Sequence, residues 1–93
     1  MAGRNSQPAQ TGPAGIIEVD VHGMTRRQAR THLENQLRRA GGGVYRLRVI
    51  HGFHGGTELL HLVREEIAKN PRVIRYEVGL NPGETDLVLR EYY

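Results

Sequence analysis

Two short His-Gly signals set the strongest limit on how this chain folds. Val19-Asp20-Val21-His22-Gly23 and Val49-Ile50-His51-Gly52 each close a β-branched run, and each is followed by a helical pattern. Two strand-loop-helix units joined by a helical crossover must run their strands in parallel. Both strand carboxyl ends, and the amino ends of the helices that follow, then collect on one rim of the sheet. That rim is where chemistry is expected.

The rest of the chain allows little else. Its 93 residues, 38% of them hydrophobic, suit one small domain, and a domain of that size buries only about 60 to 65% of its extended-chain surface. There are no cysteines, so neither a disulfide framework nor a thiolate metal site is available. The first fifteen residues lack the apolar core of an export signal, and no apolar run approaches the roughly 18 residues of a membrane span. A soluble, cytoplasmic protein with no membrane partner is expected. The net charge is +3, and every cation except Lys69 is an arginine. A guanidinium fork suits bidentate contact with phosphate, although so small an excess is equally compatible with solubility alone.

Residues 1–15 hold too few apolar side chains to offset the cost of ordering a backbone, and read as a disordered tail. From Ile16, alternation places Ile17, Val19 and Val21 on one face of a strand and Glu18, Asp20 and His22 on the other. Thr25 and Gln28 have capping-box spacing. They open a helix with Ala29, Leu33, Leu37 and Ala40 on one stripe, stopped by Gly41 to Gly43. A second strand spans 44–51. Thr57 caps a second helix carrying Leu59, Leu60, Val63 and Ile67, and Asn70-Pro71 ends it. A third strand is expected at about 72–79, with Ile74, Tyr76 and Val78 on its apolar side. Asn81-Pro82-Gly83-Glu84 turns the chain into a last strand at roughly 86–91. The order is βαβαββ: an α/β (α+β) two-layer sandwich whose four-stranded mixed sheet is covered on one face by two helices. The uncovered face would carry Glu18, Asp20, His22, Arg46, Arg48, Arg75, Glu77, Asp86 and Arg90. That mixture of signs reads either as a solvated, ion-paired surface or, for its arginines, as a phosphate-binding one.

Three of the five histidines, His22, His51 and His54, fall at the proposed rim. Asp20 and His22 are two apart on a strand, so they share a face with Cβ atoms about 6.6 Å apart. A carboxylate and an imidazole so placed can serve general acid–base catalysis on a phosphodiester, or can merely hydrogen-bond loop backbone. Imidazole and carboxylate also suit zinc or manganese. The i, i+3 spacing of His51 and His54 is nonspecific, and no metal or other cofactor is expected. Gly52-Phe53-His54-Gly55-Gly56-Thr57 has the composition of an anion cradle, because glycines let backbone N–H groups approach closely and a helix amino end adds partial positive charge. No lysine precedes Thr57, so it is not a P-loop. Phe53, the only phenylalanine, lies in this loop, placed either to stack on a base or to fold back over the core.

In these motifs the chain resembles the Smr (small MutS-related) domain family. Its members read Leu-Asp-Leu-His-Gly, a helix, then a strand ending in His-Gly and a Gly-rich loop opening a second helix. The resemblance covers about residues 16 to 91. It implies a βαβαββ sandwich and a nucleic-acid role, since Smr domains include endonucleases that nick DNA or cleave RNA, some acting on messenger RNA at stalled ribosomes. By position, Asp20 and His22 match the family's functional Asp-x-His, and Gly52 with the glycines after it matches a Gly-x-Gly segment that contacts nucleic acid. The loop departs from the common His-Gly-Lys-Gly-x-Gly: it is one residue longer, lacks the lysine and displaces the second glycine. A later Gly-Gly-x-Gly-type turn is here Asn81-Pro82-Gly83-Glu84, which adds a carboxylate.

The expectation is therefore a nucleic-acid-binding Smr-like domain over residues 16–93 acting as an endonuclease, on RNA sooner than DNA. Asp20, His22, His51 and His54 are its catalytic candidates. Gly23, Thr25, Gly52, Phe53, Gly55, Gly56, Thr57, Arg46 and Arg48 are its nucleic-acid contacts. A noncatalytic RNA- or ribosome-binding module using the same rim is the competing reading, and a protein-interaction domain using exposed sheet edges is a third.

Overall fold

The computed structural model describes residues 10–11 and 15–91. Most of the tail expected to be disordered therefore lies outside the described residues. Within it, Gln10–Thr11 forms a two-residue strand, β1, pairing antiparallel with the next one. Next come β2 (Ile16–Asp20), α1 (Arg26–Arg39) and β3 (Arg46–Ile50), then a second helix, α2, over residues 58–69, and finally β4 (Arg75–Glu77) and β5 (Glu84–Val88). The sheet order is β1-β2-β3-β5-β4. β2 and β3 are parallel, Ile16 opposite Arg46 through Asp20 opposite Ile50, while β5 runs antiparallel to both β3 and β4. The four principal strands form the mixed sheet read from the sequence, and the helices cover one face of it. Among the described residues, no helix is long and apolar enough to cross a membrane.

Alternation decides which side chains reach the core. Val19, Val21, Leu47, Val49 and Leu87 point to the helical side and are fully buried with Ala29, Leu33 and Leu37 of α1. α1 begins as its capping box dictates: Thr25 Oγ1 accepts from the Gln28 N–H at 3.1 Å, and Gln28 Oε1 accepts from the Thr25 N–H at 3.0 Å. Arg26 and Arg30 reach across to Glu66 and tie the two helices together.

Four expectations are corrected. α2 is regular only over Glu58–His61, winds as a π helix over Leu62–Glu66 and tightens to 3-10 over Ile67–Lys69. Leu62, three residues after Leu59 on the same apolar stripe, is buried with Val63 and Ile67, whereas Leu60 is only half-buried. Thr57 makes no side-chain capping bond. The last strand starts at Glu84, because Asn81 closes a tight turn by accepting from the Gly83 and Glu84 N–H groups. The third strand pairs over only three residues at the sheet edge, where the 3-10 end of α2 touches it and Arg64 lies 5.7 Å over the Tyr76 ring, but no further strand covers its flank. Ile74, Tyr76 and Val78 consequently stay 52%, 43% and 52% exposed, while Val73 is buried.

The two threonines at helix starts separate a working cap from an unused one. Thr25→Ala is expected to lower unfolding stability by about 1 kcal/mol, and Thr57→Ala by no more than a few tenths. Urea midpoints at constant m-value read the difference.

Candidate active site

The crossover delivers both His-Gly turns to one rim. The Val21 N–H donates to the Ile50 carbonyl at 2.9 Å, which holds the ends of β2 and β3 together, and Met24 N–H donates back to Val21 to close the first turn. Gly23 has φ +80° and Gly52 has φ +83°, backbone geometries that side-chain-bearing residues rarely adopt. The turns touch: a Cβ placed on Gly52 would lie 3.4 Å from that of His22. A third turn closes over the second, for His51 and Gly52 both donate their N–H groups to the Gly83 carbonyl, at 2.9 and 3.0 Å.

Asp20 and His22 project from this rim into solvent, 52% and 66% exposed. Asp20 Oδ1 accepts from the His22 backbone N–H at 3.0 Å and lies 2.5 Å from its Nδ1. A carboxylate on Nδ1 keeps a proton there, so Nε2 is the nitrogen that faces outward. Gly23, Met24, His51, Gly55, Gly56, Glu58 and Leu59 line a cleft of about 180 Å³ between the two loops. That is smaller than the roughly 300 Å³ at which sites for whole small molecules begin, and suits a group the size of a phosphate. Phe53 and His54 lie exposed beside it with their rings edge to face, centroids 5.7 Å apart.

His51 differs from the other two rim histidines. It is buried, and both ring nitrogens are occupied: Nδ1–H donates to the Gly52 carbonyl at 2.8 Å, and Nε2 accepts from the Thr85 hydroxyl at 2.8 Å. Thr85 in turn accepts from Arg64 Nε at 3.0 Å. Burial pushes the His51 pKa below its ordinary 6.5, outweighing the opposing pull of the Gly52 carbonyl. The imidazole is therefore a neutral brace for the Gly52 turn. Of its partners, Thr85 and Arg64 gave little sign in the sequence. Thr85 is one polar residue at a core-facing position, and Arg64, which reaches His51 only through Thr85, reads as an ordinary cation of the second helix.

Other sequence candidates are placed elsewhere or otherwise engaged. Thr25 gives both its N–H and its hydroxyl oxygen to the capping box, and the Gly52 N–H goes to Gly83. Arg46 and Arg48 sit on the open sheet face and not at the rim. Arg46 bridges Glu77 and Asp86, and Arg48 holds Asp86 with two bonds of 2.9 and 3.0 Å. Burial pushes the Asp86 carboxyl up, but the hydrogen bonds and charges of Arg48 and Arg46 outweigh it and hold the group below its ordinary value. Of the two readings of this face, the ion-paired one describes it. Among the described residues no three His, Asp or Glu side chains gather closely enough to hold a metal ion.

These features define a class: a small α/β sandwich with a phosphate-sized cleft at the carboxyl rim of its parallel strands, beside an exposed His–Asp pair. The Smr domain family matches residues 19–84, and the chain belongs to that family. The crystal structure of the Smr domain of Thermus thermophilus MutS2 is similar, with a TM-score of 0.69 and 30% sequence identity over 80% of this chain and 98% of that one. A comparison with curated proteins found no match. The Smr domain is a nucleic-acid-binding, nuclease-like fold.

The buried histidine makes stability depend on pH. Below about pH 6.5 the unfolded chain takes up a proton that folded His51 refuses, so stability is full above that pH and falls as pH drops toward the lower folded pKa. The slope is at most about 1.4 kcal/mol per pH unit. Asp86, with an ordinary value of 3.8, surrenders its own contribution only in more acidic solution. Urea midpoints between about pH 7 and about pH 5 should fall for the wild type and stay nearly level for His51→Gln.

Proposed function

We propose that this protein cleaves RNA phosphodiesters at the rim between β2 and β3. The observation that carries the reading is the 2.5 Å contact between Asp20 Oδ1 and His22 Nδ1 on a solvent-facing pair. With its proton held on Nδ1, the imidazole offers Nε2 as a base. Nε2 takes the proton of a ribose 2′ hydroxyl, the 2′ oxygen bonds to phosphorus, and the bond from phosphorus to the 5′ oxygen breaks. The departing 5′ oxygen needs a proton, and His54 on the facing loop is the rim histidine free to give it, since both nitrogens of His51 are engaged. An RNA substrate supplies its own nucleophile, which is why RNA is favoured over DNA, and it fits a cytoplasmic site of action.

The cleft supports the same reading. Gly23, Gly55 and Gly56 leave part of its wall without side chains, where backbone can approach a phosphate closely, while Met24, His51, Glu58 and Leu59 form the rest. The Thr57 hydroxyl, unused in capping, is available as a donor. Phe53, 51% exposed, offers a stacking surface, worth about 1 to 3 kcal/mol per base in single-strand binders.

Labelled single-stranded RNA, incubated with wild type, His22→Ala and Asp20→Ala, tests the assignment. The wild type should leave 2′,3′-cyclic phosphate ends. The His22 variant should be slower by about 10²- to 10⁴-fold, and a 2′-deoxy nucleotide at the cleaved position should block the reaction. Equal cleavage by all three chains would overturn the site, and salt-sensitive binding without turnover would make the rim a capture module.

A further inference from the structure

β4 is an open sheet edge of unusual composition. It lies at the end of the order β1-β2-β3-β5-β4, whereas Gln10–Thr11 occupy part of the opposite edge. Exposed edges are ordinarily blunted by shortness, by charged side chains of one sign, by proline or by a bulge. Residues 74–78 read Ile-Arg-Tyr-Glu-Val, a short strand without proline whose two charges are of opposite sign and so do not repel a second copy. Ile74, Tyr76 and Val78 are among the most exposed large apolar side chains of the described residues. Tyr76 lies opposite the core residue Leu87, so these three face the helical side, and Arg75 and Glu77 face the open side.

The segment is complementary to its own reverse. Laid antiparallel on a second copy with Tyr76 opposite Tyr76, it sets Arg75 against Glu77 twice and Ile74 against Val78 twice. Every facing pair is then apolar with apolar or cation with carboxylate, the pairings that stabilise adjacent strands. Arg75 already bridges Glu77 and Glu91 within its chain, and a guanidinium with five donors can serve a further carboxylate. We propose that β4 pairs with β4 of a second copy of this chain, about a two-fold axis at Tyr76, joining two sheets into one. β4 runs parallel to β3, so the two cleavage rims lie at opposite ends of the joined sheet and both stay open.

The chain has no cysteine, so single cysteines report the register. Facing residues in an antiparallel pair have Cα atoms about 4.5 to 5.5 Å apart, within disulfide reach. Ile74 and its own copy would be about 13 Å apart in this register, which is beyond it. Under mild oxidation, Tyr76→Cys should cross-link to itself and Ile74→Cys should not, while an equimolar mixture of Ile74→Cys and Val78→Cys should. Sedimentation velocity on the unmodified chain should show a dimer that dissociates on dilution. Arg75→Glu and Glu77→Arg should each be monomeric alone and associate when mixed, with circular dichroism confirming that each is folded. A wild type monomeric at every concentration, which leaves this edge to another partner, would overturn the proposal. So would a dimer indifferent to both charge variants, or equal self-cross-linking at positions 74 and 76.

Discussion

The parallel pairing of β2 with β3 is the constraint on which the rest depends. A helical crossover between the two strands leaves them no other direction. Once they are parallel, both turns must leave the sheet at the same end. The bond from Val21 to the Ile50 carbonyl then fixes their spacing at the point where both strands stop pairing. Gly52 lies against His22 in a left-handed backbone geometry, φ +83°, that side-chain-bearing residues rarely adopt. An exposed dyad and a cleft lined in part by glycines are brought to one rim through backbone geometry.

Charge is divided between the two ends of this arrangement. On the open sheet face, arginines and carboxylates neutralise one another around Asp86 and screen the apolar Ile16 and Val88 beneath them. The rim carries histidines and glycines instead. Chain-wide basicity is therefore a poor guide to where a polyanion would settle, because Arg46 and Arg48, the two arginines closest in sequence to the second turn, are spent on holding strands.

Much of the layout was legible before any coordinates, and the failures have local causes. The capping box at Thr25, the apolar faces of β2 and β3 and the shared rim all follow from period and turn chemistry. Leu62 sits three residues after Leu59, so its burial follows from the helical period, whereas the π winding of Leu62–Glu66 leaves no mark in the apolar spacing. The exposure of Ile74, Tyr76 and Val78 was not legible because alternation shows which face a residue takes but not that its strand ends the sheet. Within the site, Asp20 and His22 were readable from their two-residue spacing. That His51 is a brace was not, because its partner Thr85, itself held by Arg64, lies 34 residues away in sequence.

The clamp that Gly83 places on the second turn has a consequence for how the protein comes into being. β3 finds its other neighbour only in β5, so the rim draws on residues near position 20, position 50 and positions 83 to 85. Such distant pairings are slow to form, because the intervening chain must be closed into a loop before they stabilise anything. During synthesis, a polypeptide that has emerged only as far as α2 owns both histidine turns and yet has no finished rim. Any activity housed there is withheld from the growing chain until its last strand slots into the sheet.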